Sequence, residues 1–280
     1  MRIQQKHLAL AALLLVASPV LAQMASFGSA EGGPIEVQAD NGIEWQQERK
    51  VFLARGNAVA TRGATKVNAD TLRAHYREKG AQGGGADIWR LEAEGNVVIS
   101  TPGEKAYGDR AEYDVDQAVV ILTGRQGAKL VAPNDTVTAD RQIEYWQGKR
   151  LAVARGNAQV VHKDQGQNKK LRAEIVTAHF REDKSGKTQV FRVEAFERVQ
   201  IDTETETVTA DKAVYNVESG IATLTGSVKI RRGPNELNGC AAEVNLNSGV
   251  SRLHGCGQAS DGGHGRVKGT LMPTKRRESP

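Results

Sequence analysis

Val67-Asn68-Ala69-Asp70, Val137-Thr138-Ala139-Asp140 and Val208-Thr209-Ala210-Asp211 repeat one phrase: an apolar residue, any residue, a small residue, then Asp. Val37-Gln38-Ala39-Asp40 is a further clear copy. Ala106-Tyr107-Gly108-Asp109, Leu171-Arg172-Ala173-Glu174 and Leu237-Asn238-Gly239-Cys240 are weaker ones, which makes seven. Each phrase is followed by a stretch that alternates apolar and polar residues up to a Gly and out again, as in Val51-Phe52-Leu53-Ala54-Arg55-Gly56-Asn57-Ala58-Val59-Ala60. Matching glycines stand at 95, 124, 156, 226 and 255, and the fifth copy has Glu197 instead.

Alternation at period two, punctuated by Gly, Asn and Ser as in Val217-Glu218-Ser219-Gly220, is the signature of strands joined in hairpins. No segment keeps a helical period. A lone hairpin cannot bury its apolar face, so the copies must stack on one another around a shared interior. The expected fold is therefore all-β, a solenoid-like stack of about seven hairpins. With half of the strands in each of two layers it would be roughly 34 Å long. Its terminal strands leave open edges, on which another chain can add.

Outside the repeat lie two segments of different character. Met1-Arg2-Ile3-Gln4-Gln5-Lys6 followed by the apolar run Leu8 to Ala17 and then Val20-Leu21-Ala22 has the layout of a secretory signal, residues 1–22, with cleavage expected after Ala22. The run is too short to span a bilayer. Residues 23–33 read as a flexible lead-in, 34–257 as the repeat domain, and 258–280 as a basic tail without a fold of its own. The chain carries 38 Lys and Arg against 33 Asp and Glu. The excess sits at the two ends and leaves the repeat domain neutral, so the alkaline balance does not indicate a nucleic-acid-binding face.

The two cysteines follow the repeat. Cys240 takes the Asp place of the last copy and Cys256 follows Gly255, so a hairpin centred near Ser248 sets them opposite each other. Facing residues of an antiparallel pair lie about 4.5–5.5 Å apart at Cα, within reach of a disulfide, and export supplies an oxidising compartment. A structural staple is expected.

Chemistry-bearing motifs are missing. Gly83-Gly84-Gly85 is not followed by Lys-Ser or Lys-Thr and is no phosphate loop. The six His show no metal-ligand spacing, so no metal, cofactor or catalytic residue is assigned. The recurring Asp residues face the position after each Gly, often Asn (Asn57, Asn96, Asn157), and read as polar pairs at a bend.

The alternation turns Ile35, Val37, Ala39, Ile43, Leu53, Val67, Leu72, Val97, Ile99, Tyr113, Val115, Ile121, Val137, Ile143, Tyr145, Tyr215 and Val217 inward. They are mostly small and medium aliphatics, and aromatics make up 5% of the chain. Two interiors fit that composition: a closed core of β-branched side chains, or a groove left partly open for alkyl chains.

The Val-x-Ala-Asp arms and the arms ending Leu122-Thr123-Gly124 or Arg155-Gly156-Asn157-Ala158, placed behind an export signal, resemble the OstA-like repeat domain. That family comprises periplasmic lipopolysaccharide-transport proteins of the LptA type and the N-terminal domain of LptD. The resemblance spans about Pro34 to Cys256. It implies a twisted, V-shaped β-jellyroll in the periplasm whose inward residues hold the acyl chains of lipid A. Ile35, Tyr113 and Val115 match the family's lipid-contacting strands, with Val37 as a neighbour on the same side. It further implies an LptC-like partner at the inner membrane, an LptD-like domain at the outer membrane, and head-to-tail self-association through strand edges, in a bridge that is not an enzyme. The rival reading is a secreted β-solenoid that binds polysaccharide or acts as an adhesin. It would present an exposed ladder of aromatic or polar side chains.

Overall fold

The computed structural model describes residues 34–78, 86–164, 167–183, 188–245, 248, 250–256 and 266–272. The expected leader, 1–22, and the lead-in, 23–33, lie outside these residues. Every regular element is a strand. The first hairpin has a split arm, β1 (Glu36–Gln38) and β2 (Ile43–Gln46), and a continuous one, β3 (Val51–Arg62). Next come β4 (Thr65–Glu78), β5 (Ala86–Thr101) and β6 (Glu104–Asp114), and then the split arms β7 (Val119–Thr123) with β8 (Ala128–Val131) and β9 (Asp135–Ala139) with β10 (Gln142–Trp146). The long strands β11 (Leu151–Asp164), β12 (Gln167–Glu182), β13 (Thr188–Asp202), β14 (Thr207–Asn216), β15 (Ile221–Arg232) and β16 (Asn235–Asn245) follow, and the described residues end with β17 (Val250–His254) and β18 (Lys268–Thr270). Successive arms, split or continuous, pair antiparallel and build one continuous sheet of seven hairpins, as the repeat requires.

Each long strand is creased where the repeat places its Gly. The register shifts at Arg55/Ala58, Glu94/Val97, Arg155/Ala158, Phe196/Val199 and Thr225/Val228. At Gly56–Asn57, Gly95–Asn96, Gly156–Asn157 and Gly226–Ser227 two successive residues have positive φ, which bulges the strand and redirects it. The crease divides the sheet into two layers, called here the first layer (β2, β7, β10, β17 and the paired halves of the long strands) and the second (β1, β8, β9, β18 and the other halves). At Gly95 only glycine fits, because a Cβ would stand 2.1 Å from Asp70 Oδ2. The paired phrases meet here: Asn57 Nδ2 donates to Asp40 at 2.8 Å, Asn96 to Asp70 at 3.0 Å and Asn157 to Asp140 at 3.3 Å. In the last copy the Cys240–Cys256 disulfide occupies the same place, with Cα atoms 4.8 Å apart.

Inward side chains form rows that run across all the hairpins. In the first layer one row passes through Ala54, Leu72, Ala93, Ala111, Leu122, Ile143, Ala154 and Val176, so that large residues sit among small ones and the two layers can interdigitate. In the second layer Ala60, Val67, Ile99, Ala106, Leu130, Val137 and Val160 do the same. Most of these residues belong to one apolar cluster, with Ile99, Ala106 and Leu122 fully buried.

Three expectations need correction. Ile121 faces outward: it pairs with Glu112 on one side and Glu144 on the other, while Val120 and Leu122 point inward. Leu53 is buried but pairs with Glu44 and Arg73 on the outer side, and Ala54 takes the inward place. Both misplacements have one cause. The turns at 47–50 and 115–118 hold four residues and end on a left-handed residue, Lys50 (φ 52°) or Ala118 (φ 50°), so Gln46 pairs with Val51 and Asp114 with Val119. An even loop exchanges odd and even positions between its arms, which reverses the face assigned by counting alternation straight through. The third correction concerns the tail expected to be structureless. Residues 268–270 form β18, pairing Asn238 with Lys268 and Glu236 with Thr270, because β17 covers only the first-layer half of β16 and leaves the other half free to pair.

Candidate functional site

The interior is open at the N-terminal edge. Between the layers at the N-terminal edge lies a cavity of about 290 Å³, at the lower end of the range of small-molecule sites. Ile35 and Val37 on one side and Ile43, Phe52 and Ala54 on the other reach it before the long strands close behind Val67, Leu72, Leu91 and Ala93. Its lining is almost wholly apolar. Trp45, Phe52 and Tyr76 stack along its first-layer rim, with centroids 5.4 and 5.0 Å apart, and Trp45 Nε1 donates to Tyr76 Oη at 2.7 Å. Ile43 and Trp45 remain 54% and 59% exposed, so the cavity communicates with an apolar outer edge.

The assigned residues therefore fall into groups. Ile35, Val37, Ile43, Val67 and Leu72 meet at the cavity, and Leu53 borders it from its outer-face position. Val97, Ile99, Tyr113, Ile143 and Tyr145 are inward but buried within the closed cluster, and Val115, Val137, Tyr215 and Val217 pack against it half-buried. Ala39 is half-buried beside the crease. Burial pushes the Tyr145 and Tyr215 phenols upward, and burial together with Asp114 does the same to Tyr113, so all three stay neutral in the interior. Phe52, Ala54, Ile88 and Leu91 also line the cavity and were not singled out from sequence. The signal for the first two was the length of the turn at 47–50.

The apolar rows have a polar boundary. At the far end of the second layer His162 Nδ1 and Asp135 Oδ1 are 2.9 Å apart and buried. Burial raises the Asp135 carboxyl, an effect that His162 partly opposes. Further along, Glu206, raised by burial, stands 3.8 Å from Arg232. This row bounds the apolar interior of the second layer at one end, as the crease does at the other. Among the described residues no group of His, Cys, Asp and Glu could hold a metal ion, and no helix is long and apolar enough to cross a membrane.

The family described as LptA/(LptD N-terminal domain) LPS transport protein matches this sequence twice, over residues 36–145 and 136–250. The chain belongs to that family. The first match runs from β1 to β10 and the second from β9 into β17, and the two overlap across β9 and β10. A protein of Rhizobium meliloti (strain 1021), described as uncharacterized, is 24% identical over 154 residues, which is 52% of this chain and 82% of that relative. A crystal structure of LptH, described as the LptA homologous periplasmic component of the lipopolysaccharide transport device of Pseudomonas aeruginosa, is similar at 14% identity, covering 86% of this chain and 96% of that one with a TM-score of 0.22.

Proposed function

We propose that this member of the lipopolysaccharide-transport family is a periplasmic carrier that takes the acyl chains of lipid A into its interior through the N-terminal cavity. The observation that carries the reading is that cavity: apolar, open to an apolar edge, and continuous with the inward rows of every later hairpin. Each methylene left in water costs about 0.8 kcal/mol, so a lipid with several chains needs such a lining along its whole path. Beyond the first hairpins the rows are closed, and passage would require the layers to part. They are hinged at the crease, whose glycines and Asp–Asn pairs recur along the length.

The open edges supply the ends of a bridge. Among the described residues, β1 and β2 pair only with β3, and β17 and β18 only with β16. An LptC-like partner at the inner membrane, an LptD-like N-terminal domain at the outer membrane, or a second copy head to tail would each extend the sheet by adding a strand. The driving energy would come from the inner-membrane complex. The rival polysaccharide-binding reading draws no support from an aromatic ladder: among the described residues the exposed aromatics are Trp45 and Tyr107, on different layers.

Depletion of the protein in cells tests the proposal. Newly made lipopolysaccharide should accumulate in the inner membrane. Undiminished delivery to the cell surface would refute the carrier role.

A further inference from the structure

The two outer faces of this sheet treat charge differently. On the first layer, cations and carboxylates alternate across strands and neutralise one another. Arg73 meets Glu94 at 2.6 Å, Arg90 meets Glu112 at 2.7 Å and Glu92 at 2.9 Å, and Arg110 reaches Glu92 at 3.2 Å. On the second layer the same strands carry Lys66, Lys105 and Lys129, all exposed and none in an ion pair. Between β3 and β8 the outward positions of this layer are free of carboxylates, which stand at its borders: Glu36 on β1, opposite Thr61, and Asp109 at the crease beside Tyr107 and Lys129, where it pairs with Arg125.

These lysines form one patch. Ser100 separates Lys66 from Lys105 across the strands, which puts them about 10 Å apart. Lys105 and Lys129 are diagonal neighbours on β6 and β8, about 7–8 Å apart. Between them Tyr107, 37% exposed, pairs with Val98 on one side and Lys129 on the other. The patch is therefore cationic, with an amphipathic ring beside Lys105 and Lys129. Directly behind it, on the inward side of the same strands, Ala60 and Val67 line the cavity.

We propose that this face docks the protein onto an anionic phospholipid bilayer surface, holding the cavity beside the membrane. Charge complementarity argues for it, since among the described residues none of the three lysines is in an ion pair and the one carboxylate beside Lys129, Asp109, is taken by Arg125. Tyrosine and lysine together are the side chains favoured at such an interface. Each cation near an anionic surface contributes on the order of 1 kcal/mol, so removing all three should weaken binding on the order of 100-fold. The attachment should fade as salt rises. The proposal adds a membrane contact to the carrier reading and does not depend on which lipid enters the cavity.

Co-sedimentation of the full chain with vesicles tests it. Phosphatidylcholine vesicles containing phosphatidylglycerol should bind the protein, and pure phosphatidylcholine vesicles should not. The K66Q/K105Q/K129Q variant should lose most of that binding with an unchanged melting temperature, whereas K275Q/R276Q/R277Q, which removes as many charges from the C-terminal tail, should retain it. The inference is overturned if the native chain ignores anionic vesicles, if the tail variant loses binding while the face variant keeps it, or if the face binds a soluble phosphorylated saccharide and no vesicle. Lipopolysaccharide capture in the cavity, measured separately in solution, should be unchanged in both variants, so failure of the carrier reading would show there and not in sedimentation.

Discussion

Cys240 and Cys256 take, in the seventh hairpin, the places that Asp70 and Asn96 hold in the second, so that a covalent bond closes the crease where a hydrogen bond closes it elsewhere. β17 has only five residues and lies, with β18, at an edge of the sheet where, among the described residues, no following hairpin holds the crease shut. In a chain-entropy account a cross-link of this span is worth about 3 kcal/mol. Replacing both cysteines by Ala should lower the stability of the last hairpin by that order, seen as faster hydrogen exchange in β16 and β17. The C240D/C256N variant should recover about 1 kcal/mol by restoring the repeat's own hydrogen bond. Equal exchange rates in the two variants would mean that the correspondence is only positional.

The glycines of the crease should be the least replaceable small residues. Gly95 has φ +79°, and an added Cβ would meet the Asp70 carboxylate. Gly95→Ala should cost about 2 kcal/mol, from the left-handed backbone and the displaced Asp70 together. Thermal unfolding would measure it. A control at Gly148, where no atom lies within 4 Å of an added Cβ, should change little.

The fifth copy carries the opposite case. Glu197 (φ 64°) and Arg198 (φ 55°) hold the left-handed bulge without a glycine, and Arg198 binds Glu174, the residue in that copy's Asp place. Glu197→Gly should therefore stabilise the protein by about 1 kcal/mol, raising the melting temperature by about 2–4 °C. An unchanged or lower melting temperature would show that the Glu197 side chain contributes more than its backbone costs.

Acid should weaken the first layer's outer face through Glu144. Burial alone would raise this carboxyl, but hydrogen bonds from Gln142, Arg155 and Trp146, with the Arg155 charge, outweigh it and hold the group below the usual carboxylate range. A depressed folded value means that the stabilisation is complete above the unfolded value, about pH 4.3, and is lost as pH falls through the folded one. Arg155 is partly exposed, so solvent screening reduces the effect to about 1–2 kcal/mol. Glu144→Gln should be destabilised by that amount at pH 7 and match the native protein near pH 3. A difference constant with pH would assign the effect to packing.

Much of this arrangement was legible in the sequence because the repeat states its own geometry. Asp70 and Asn96 lie 26 residues apart and still announce their contact, since the same pair recurs as Asp40 with Asn57 and Asp140 with Asn157. The disulfide followed from the same correspondence. Faces were harder to read, because they depend on turn length modulo two. Leu53 and Ile121 were turned the wrong way by four-residue turns whose left-handed residues, Lys50 and Ala118, are not glycines and give no warning. The location of the cavity was not legible either. Ile43 and Ile143 occupy the same inward row, and only the edge, where no further hairpin covers Ile43, separates an open site from a closed core.

The most direct test of the carrier account places a photo-crosslinking amino acid at Ile43 or Leu72, in the cavity, and at Ile121, on the outer face, in cells making lipopolysaccharide. The account predicts lipopolysaccharide adducts at Ile43 and Leu72 and none at Ile121. Capture at Ile121 with none at the cavity positions would contradict it.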